Sequence, residues 1–241
     1  MIDLKDITKQ YGSTTAVNRL NIHVAAGEIY GFIGPNGAGK TTTIRIMGGI
    51  IEPTSGSIII GGIDMKRQPV EAKSIIGYVP DRPFLYEKLT GMEFMKFIGD
   101  LYRVDSASFP RRASSLLEQF ALHDWQDEII EAYSHGMKQR LIIASALLHD
   151  PKVMVIDEPM VGLDPSAVRM VRDILKDQAA RGVTIFVSTH TLSIAQDLCD
   201  RIGVIHKGIL LAQGTLAELN HAARTGEADL EDVFLTLVKE A

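Results

Sequence analysis

Apolar and polar residues alternate along the first part of the chain with the two-residue period of β-strands. Apolar residues at positions 2, 4 and 7, and again at 20, 22 and 24, are separated mostly by polar ones, which predicts two strands. Positions 28–33 are mostly apolar and predict a buried strand. A glycine-rich segment, 34–42, follows this strand, and the residues from about Lys40 to Met47 predict a helix.

The rest of the chain divides into a helical middle and an alternating end. Segments 57–60 and 74–80 predict strands, whereas positions 86–150 carry amphipathic helical patterns and few strand signals. Strands are predicted again at 152–159, 182–190, 202–206 and 209–213, with helices at 166–178 and 192–199. This alternation predicts an α/β fold with a largely parallel sheet. The most polar stretch, 221–232, is expected to be flexible.

Composition excludes several classes of protein. The chain has 241 residues and a formal net charge of −5, and only 6% of its residues are aromatic, so we expect no nucleic-acid partner. The single cysteine, Cys199, cannot form an internal disulfide or a Cys-based zinc site. No apolar run approaches the roughly 18 residues of a membrane span, and the N-terminus lacks the apolar core of a signal peptide. We therefore expect a soluble, intracellular, globular protein.

The glycine-rich segment matches the phosphate-binding pattern G-x-x-x-x-G-K-[ST] at every position. It consists of Gly34, Pro35, Asn36, Gly37, Ala38, Gly39, Lys40 and Thr41, with Thr42 next to it. Backbone N–H groups at a helix N-terminus bind anions, and glycines let the chain wrap closely around a phosphate. The Lys40 ammonium suits the β- and γ-phosphates, and the Thr41 hydroxyl suits Mg²⁺. The segment therefore predicts ATP and Mg²⁺ as cofactors.

Two carboxylates end the apolar run at 153–156. Asp157 and Glu158 follow it directly, and the carboxyl ends of parallel strands form the ligand-binding edge of a sheet. Asp157 suits the Mg²⁺ shell, and Glu158 suits a general base that polarises the attacking water. A solvated strand end without chemistry is the alternative interpretation of this pair alone.

Further segments, in order with these two, resemble the nucleotide-binding subunits of ATP-binding-cassette (ABC) transporters. The signature of that family, usually LSGGQ, takes the form YSHGM at Tyr133–Met137 and is followed by KQR. The form YSxGMKQR resembles the subunits of ABC-2 type exporters. The resemblance runs from Tyr11 to the closing LEDVFLTL. It implies one ABC ATPase domain over 1–241. Its expected parts are a RecA-like P-loop core, an N-terminal antiparallel β subdomain, an inserted helical subdomain at about 86–150 and a polar tail at about 220–241.

The resemblance also assigns roles to individual residues. Tyr11 matches the aromatic residue that stacks on adenine, and Val17 matches the aliphatic residue that packs on the same ring. His190 matches the switch histidine that contacts the γ-phosphate. Without the resemblance, Tyr11 reads as an ordinary strand aromatic and His190 as a structural histidine. Ser134 and Gly136 are expected to close over the partner subunit's γ-phosphate, and the segment VGLD, which ends at Asp164, matches the loop that crosses to the partner. The signature is expected to precede a helix that starts at Lys138.

Asp81 departs from the family pattern, which usually has Gln at this position. A carboxylate here adds negative charge beside the γ-phosphate and also suits Mg²⁺. We expect Asp81 to be a ligand on the Mg²⁺ side and a residue that couples the nucleotide to the helical insertion. We interpret the exchange as variation within the exporter class and expect the catalytic residues Lys40, Asp81, Glu158 and His190 to act together.

The resemblance implies two partners. The phosphate loop of one cassette faces the signature of another, so a second cassette is expected, either a copy of this chain or a paralogous one. A separate integral membrane permease is also expected, which would hold the chain at the cytoplasmic face of the membrane. Phe84, Leu85 and Tyr86 are candidate contacts, and a core role for at least one of them is the alternative. We favour an ATPase that powers export. The alternatives are a soluble ABC ATPase acting on a non-transport assembly and a non-catalytic ATP-binding scaffold.

Overall fold

A computed structural model describes residues 1–82, 84–226 and 228–239. Within these residues ten strands form two sheets. They are β1 (Ile2–Tyr11), β2 (Thr14–Val24), β3 (Ile29–Ile33), β4 (Ser55–Ile60), β5 (Ile63–Asp64), β6 (Ile76–Val79), β7 (Val153–Asp157), β8 (Thr184–Thr189), β9 (Arg201–His206) and β10 (Ile209–Gly214).

The first sheet is antiparallel and has the strand order β2-β1-β4-β5. Alternate residues of β1 and β2 point into a core, because successive side chains of a strand lie on opposite faces. Ile2, Leu4, Leu20 and Ile22 are almost completely buried there. The predicted N-terminal antiparallel subdomain is therefore confirmed.

The second sheet has the order β10-β9-β3-β8-β7-β6, and all its pairs are parallel except β9 with β10. Strands β3, β7 and β8 are buried along their whole length, as is usual for a parallel sheet covered on both faces. Because β3, β7 and β8 are neighbours, their carboxyl ends lie side by side. This edge carries the residues that follow Ile33, Asp157 and Thr189.

The helices lie around this sheet. They are α1 (Lys40–Met47), α2 (Pro69–Ser74), α3 (Gly91–Leu101), α4 (Phe109–Gln119), α5 (His135–Leu147), α6 (Pro165–Ala180), α7 (Leu192–Leu198), α8 (Leu216–Ala223) and α9 (Leu230–Lys239), with short 3₁₀ turns at His123–Trp125 and Ile130–Ala132. Among the described residues, no helix is both long and apolar enough to cross a membrane.

Helices α3, α4 and α5 lie between β6 and β7 in the chain and share one apolar core with the parallel sheet. Phe94, Leu117 and Leu141 from these helices belong to the same buried cluster as Ile156 and Val187 from the strands. The predicted α/β fold, with helices inserted into a mostly parallel sheet, is confirmed.

The C-terminal segment differs from the flexible stretch expected from its polarity. Two helices, α8 and α9, occupy most of it, and Leu230 and Val233 are buried against Leu219. The Asn220 side chain also bridges the connection, since its amide donates to the Ala228 carbonyl at 3.0 Å and its oxygen accepts from the Ala228 N–H at 3.0 Å. An apolar stripe and one buried amide thus outweigh the polar composition; Glu227 lies outside the described residues.

Candidate functional site

The phosphate loop joins β3 to α1 at the carboxyl edge of the parallel sheet. Gly37 and Gly39 have φ of 78° and 110°, a left-handed backbone that L residues with side chains rarely adopt. A Cβ on Gly39 would also lie 2.5 Å from the Ala16 carbonyl oxygen. The two glycines therefore let the loop turn tightly into the start of α1, where the helix dipole favours an anion.

The residues behind the loop hold it from the core side. Ala38 is 3% exposed; its N–H donates to the Pro35 carbonyl at 3.1 Å, and its carbonyl accepts from the Gly208 N–H at 2.9 Å. Val17 has no exposed surface, so the expected contact with an adenine ring is not available to it. Val17 packs instead in the core beside Gly39. In β2 neighbouring residues face opposite ways, which places Ala16 on the open side.

The Lys40 ammonium lies inside the loop. Its Nζ donates to the Gly34 carbonyl at 2.6 Å and to the Pro35 carbonyl at 3.2 Å, and the residue is 8% exposed. Burial lowers the pKa of Lys40, while the carboxylates of Glu158 and Asp157 oppose this change. The ammonium is therefore held within the field of both acidic residues.

Asp157 ends β7 at the same edge and is 2% exposed. Burial raises the pKa of its carboxyl group, and the charges of Asp81 and Glu158 raise it further, whereas the Thr41 hydroxyl beside it acts in the opposite direction. The structure thus brings Thr41, Asp81 and Asp157 together as oxygen donors.

Glu158 stands in a left-handed conformation, with φ of 53°, directly after β7. Its N–H donates to the Ser188 carbonyl at 2.9 Å, which ties this strand end to β8. Its Oε1 accepts from the His190 N–H at 2.9 Å and lies 2.7 Å from His190 Nδ1, and its Oε2 accepts from the Thr189 hydroxyl at 3.0 Å. An unfavourable backbone conformation with so many side-chain contacts is typical of functional sites.

One cavity of about 340 Å³ joins the phosphate loop to this acidic edge. The residues that line it are Ala16, Asn36, Gly37, Gly39, Lys40, Thr41, Thr42, Asp81, Asp157, Glu158, Val161 and His190. Our sequence prediction did not include Ala16 in the site, and it placed Val161 only in the loop that crosses to the partner. The alternation in β2, which buries Val17, was a signal for Ala16.

Tyr11, Ser134, Gly136 and Asp164 do not line this cavity. Tyr11 ends β1 and is 49% exposed, with the Lys9 ammonium 5.2 Å from its ring centre. Asp164 caps α6, since its Oδ1 accepts from the N–H groups of Ser166 and Ala167, both at 2.9 Å. Within one copy of the chain, these residues therefore do not contribute to this cavity.

The signature begins α5 earlier than the expected start at Lys138. The Ser134 hydroxyl accepts from the Met137 N–H at 3.2 Å and caps the helix, which therefore begins at His135. Gly136 lies in the first turn, where N–H groups have no partner within the helix. The helix N-terminus is thus formed by the signature itself.

Comparison with known proteins agrees with this geometry. The model of the ABC transporter family matches residues 17–161. The bacitracin transport ATP-binding protein BcrA of Enterococcus faecalis is 39% identical over 234 residues, covering 96% of this chain and 75% of that protein. A solved ATP-binding subunit of an ABC transporter superposes with a TM-score of 0.93 at 33% identity, covering 98% of this chain and 99% of that one.

A second solved structure is a dimeric ATP-binding cassette in a post-hydrolysis state, bound to ADP and Pi. It matches with a TM-score of 0.79 at 25% identity, covering 90% of this chain and 99% of that one. The family match spans more than half of the chain, and the similar sequence and the two similar structures agree with it. The chain therefore belongs to the ABC transporter family, as an ATP-binding and ATP-hydrolysing subunit of the ABC-2 exporter type.

Proposed function

We propose that this chain hydrolyses MgATP in the cavity between the phosphate loop and the acidic edge and so powers export through a separate permease. The observation that carries the proposal is the convergence of Lys40, Asp157, Glu158 and His190 on one cavity. These residues come from three neighbouring strand ends, far apart in sequence. A fold that only needed a stable strand end would have no reason to collect them.

Mg²⁺ would be held by Thr41 and Asp157, with Asp81 beside them. The donor set fits this ion, because Mg²⁺ prefers hard oxygen ligands and usually takes one or two carboxylates together with substrate phosphates. Within the described residues, no group of three His, Cys, Asp or Glu side chains is placed to hold a metal, which is consistent with a site completed by ATP. The bound ion would neutralise phosphate charge during transfer.

The protein's own residues divide the remaining work. Lys40 would leave its loop carbonyls and pair with the β- and γ-phosphates. Glu158 would accept the proton of the attacking water, a role that requires an oriented carboxylate. His190 Nδ1 lies within hydrogen-bond distance of Glu158 Oε1. The Nε2 on the other edge of the ring would therefore face the γ-phosphate.

A second cassette would complete the site. Ser134 and the backbone of Gly136 would close over the γ-phosphate bound to the partner. Asp164 would lie in the loop that crosses to the partner. Tyr11 would stack on adenine. In support, the first turn of α5 presents N–H groups together with the helix dipole, which favours phosphate. The second cassette is either a copy of this chain or a paralogous one.

The permease would dock beside the helical insertion and hold the chain at the cytoplasmic face of the membrane. Phe84 is 80% exposed and Tyr86 48%, whereas Leu85 is buried and acts as a core residue. Tyr86 packs edge-on against Phe84 at 5.6 Å and against Phe97 at 5.1 Å between ring centres. Such an exposed aromatic group is typical of an interaction site.

With its helical part at about 86–150 and its tail at about 220–241, the chain is one ABC ATPase domain.

Trapping the ATP-bound dimer tests this proposal. Glu158→Gln removes the base but keeps the side-chain size, so the variant should bind ATP without hydrolysing it and elute as a dimer in ATP. Lys40→Ala is the matched control, because it weakens phosphate binding and should remain monomeric. A Glu158→Gln variant that hydrolyses ATP at the wild-type rate would contradict the proposal. One that stays monomeric with ATP would exclude a second copy of this chain as the partner cassette.

A further inference from the structure

The imidazole of His135 lies against Gly162 in the loop that follows Glu158. A Cβ on Gly162 would overlap the Cδ2 atom of His135 and lie 2.8 Å from its Nε2. Gly162 also has φ of 76°. The space left by this glycine is therefore filled by a side chain from the signature, at the position where the family signature usually has glycine.

The first two turns of α5 contact this loop at further points. A Cβ on Gly136 would lie 3.3 Å from the Gly162 carbonyl oxygen and 3.5 Å from Cδ2 of Leu163. One turn later, the buried Gln139 side chain donates to the Pro159 carbonyl at 3.4 Å. The segment from Pro159 to Leu163, which we call the post-base loop, is thus contacted near both ends by the signature helix of its own chain.

We propose that His135 is a positioning residue that fixes the post-base loop relative to the signature and thereby sets the rate of hydrolysis. The inference rests on the proposed function, in which the signature acts on the partner's nucleotide and Asp164 lies in the loop that crosses to the partner. His135 lies between these two surfaces. With the imidazole in place they move as one body, and without it the loop between Glu158 and Asp164 gains freedom.

We expect His135 to affect turnover and not nucleotide binding. His135 does not line the cavity that the phosphate loop lines, so its removal should leave the KM for MgATP within about twofold of wild type. Loss of positioning should appear in kcat, which we expect His135→Gly to lower by about three- to tenfold. His135→Phe keeps a planar ring in the same space without a titrating group, and it should retain more than half of the wild-type kcat.

A double-mutant cycle tests the contact itself. Gly162→Ala should lower kcat at least about tenfold, because the new methyl group overlaps the imidazole and the positive φ disfavours alanine. In the His135→Gly background the overlap is gone and only the backbone term remains. The same Gly162→Ala change should then cost less than about threefold.

Three results would overturn the proposal. Independent effects, with Gly162→Ala costing the same factor in both backgrounds, would overturn the proposal, as would a wild-type kcat for His135→Gly. A fall in kcat for His135→Phe equal to that of His135→Gly would also overturn it, because the ring's packing would then not be what matters. Thermal midpoints and binding of a fluorescent ATP analogue establish that every variant is folded and binds nucleotide. Absence of hydrolysis in the wild-type chain would contradict the proposed function, not this contact.

Discussion

His190 Nδ1 lies 2.7 Å from Oε1 of Glu158, across the gap between the ends of two neighbouring parallel strands. The carboxylate is almost buried, with 11% of the side chain exposed, whereas 57% of the His190 side chain is exposed. The Glu158 carboxylate is thus held by Thr189 of β8 and by His190 directly after it, and it faces the same cavity as the phosphate loop. Several neighbours consequently orient the Glu158 side chain, and the contribution of each can be tested by substitution.

Thr189 is the neighbour best suited to a test of this orientation. Its hydroxyl donates to Oε2 of Glu158 at 3.0 Å and accepts from the Thr191 N–H at 3.1 Å. Thr189→Val keeps the shape but removes the hydroxyl, so we expect kcat to fall about three- to tenfold with KM for MgATP unchanged within about twofold. Steady-state ATPase kinetics measure both. Thr189→Ser retains the hydroxyl and should keep the wild-type rate; equal loss in both variants would show that packing, not the hydrogen bond, is required.

Asp81 is expected to affect the requirement for Mg²⁺. It lines the same cavity as Asp157 and raises the pKa of that carboxyl, so the two charges act on one region. Asp81→Ala should raise the Mg²⁺ concentration for half-maximal ATPase activity by about fivefold or more. Titration of Mg²⁺ at constant free ATP measures this.

The control for Asp81 is a carboxylate elsewhere on the surface. Asp124 has a side chain that is 97% exposed in the helical insertion, and Asp124→Ala should leave the Mg²⁺ titration unchanged. If Asp81→Ala alters neither the rate nor the Mg²⁺ dependence, Asp81 has no part in the metal site.

The buried His149 should lower the free energy of unfolding in acid. Burial lowers the pKa of His149 from 6.5 to about 4. Its ring stacks on Tyr102 with 3.8 Å between ring centres, and its Nε2 lies 3.2 Å from the Ile76 carbonyl oxygen. Between these two pH values the unfolded chain binds a proton that the folded chain does not, so the free energy of unfolding decreases as the pH falls. We expect this group to contribute on the order of 2 kcal/mol to that decrease.

Denaturant unfolding at pH 7 and at pH 4.5 measures the effect. His149→Phe keeps a stacking ring but cannot titrate, and it should lose less stability than wild type between these conditions. His123→Phe is the matched control, because its side chain is 51% exposed and should leave the wild-type decrease in place. A His149→Phe variant with the full wild-type decrease would show that His149 is not an acid-sensitive group.

The exposed aromatic residues predict where a membrane partner binds. Phe84→Asp replaces one ring of the aromatic group with a charge, beside Tyr86 and Phe97. Less permease than with the wild type should therefore be recovered when the tagged chain is purified from detergent-solubilised membranes of its host. Val70→Asp is the matched control, since Val70 is 76% exposed on α2. Equal recovery of a polytopic membrane protein with both variants would exclude this aromatic group as the docking surface.

Local sequence patterns predicted most of the fold and the phosphate loop, because these depend on short-range physics. The alternation in β1 and β2, and the glycines before Lys40, act within a few residues of chain. Ser134 carried a comparable signal as a helix cap, and the expected start at Lys138 was wrong because this cap was overlooked.

Relations between distant segments were not predictable in the same way. The pairing of Glu158 with His190 follows from the register of β7 and β8, in which Asp157 is opposite Ser188. Nothing in either strand specifies that register. Likewise, the burial of Val17 and the packing of His135 on Gly162 depend on elements that meet only in the folded chain.

In the proposed function, two cassettes together form each active site. We would first measure Mg²⁺-dependent ATP hydrolysis by the purified chain against protein concentration, beside Glu158→Gln. We expect a specific activity that rises with concentration in the wild type and is lost in the variant. A specific activity that stays constant from dilute to concentrated protein, or that survives Glu158→Gln, would contradict it.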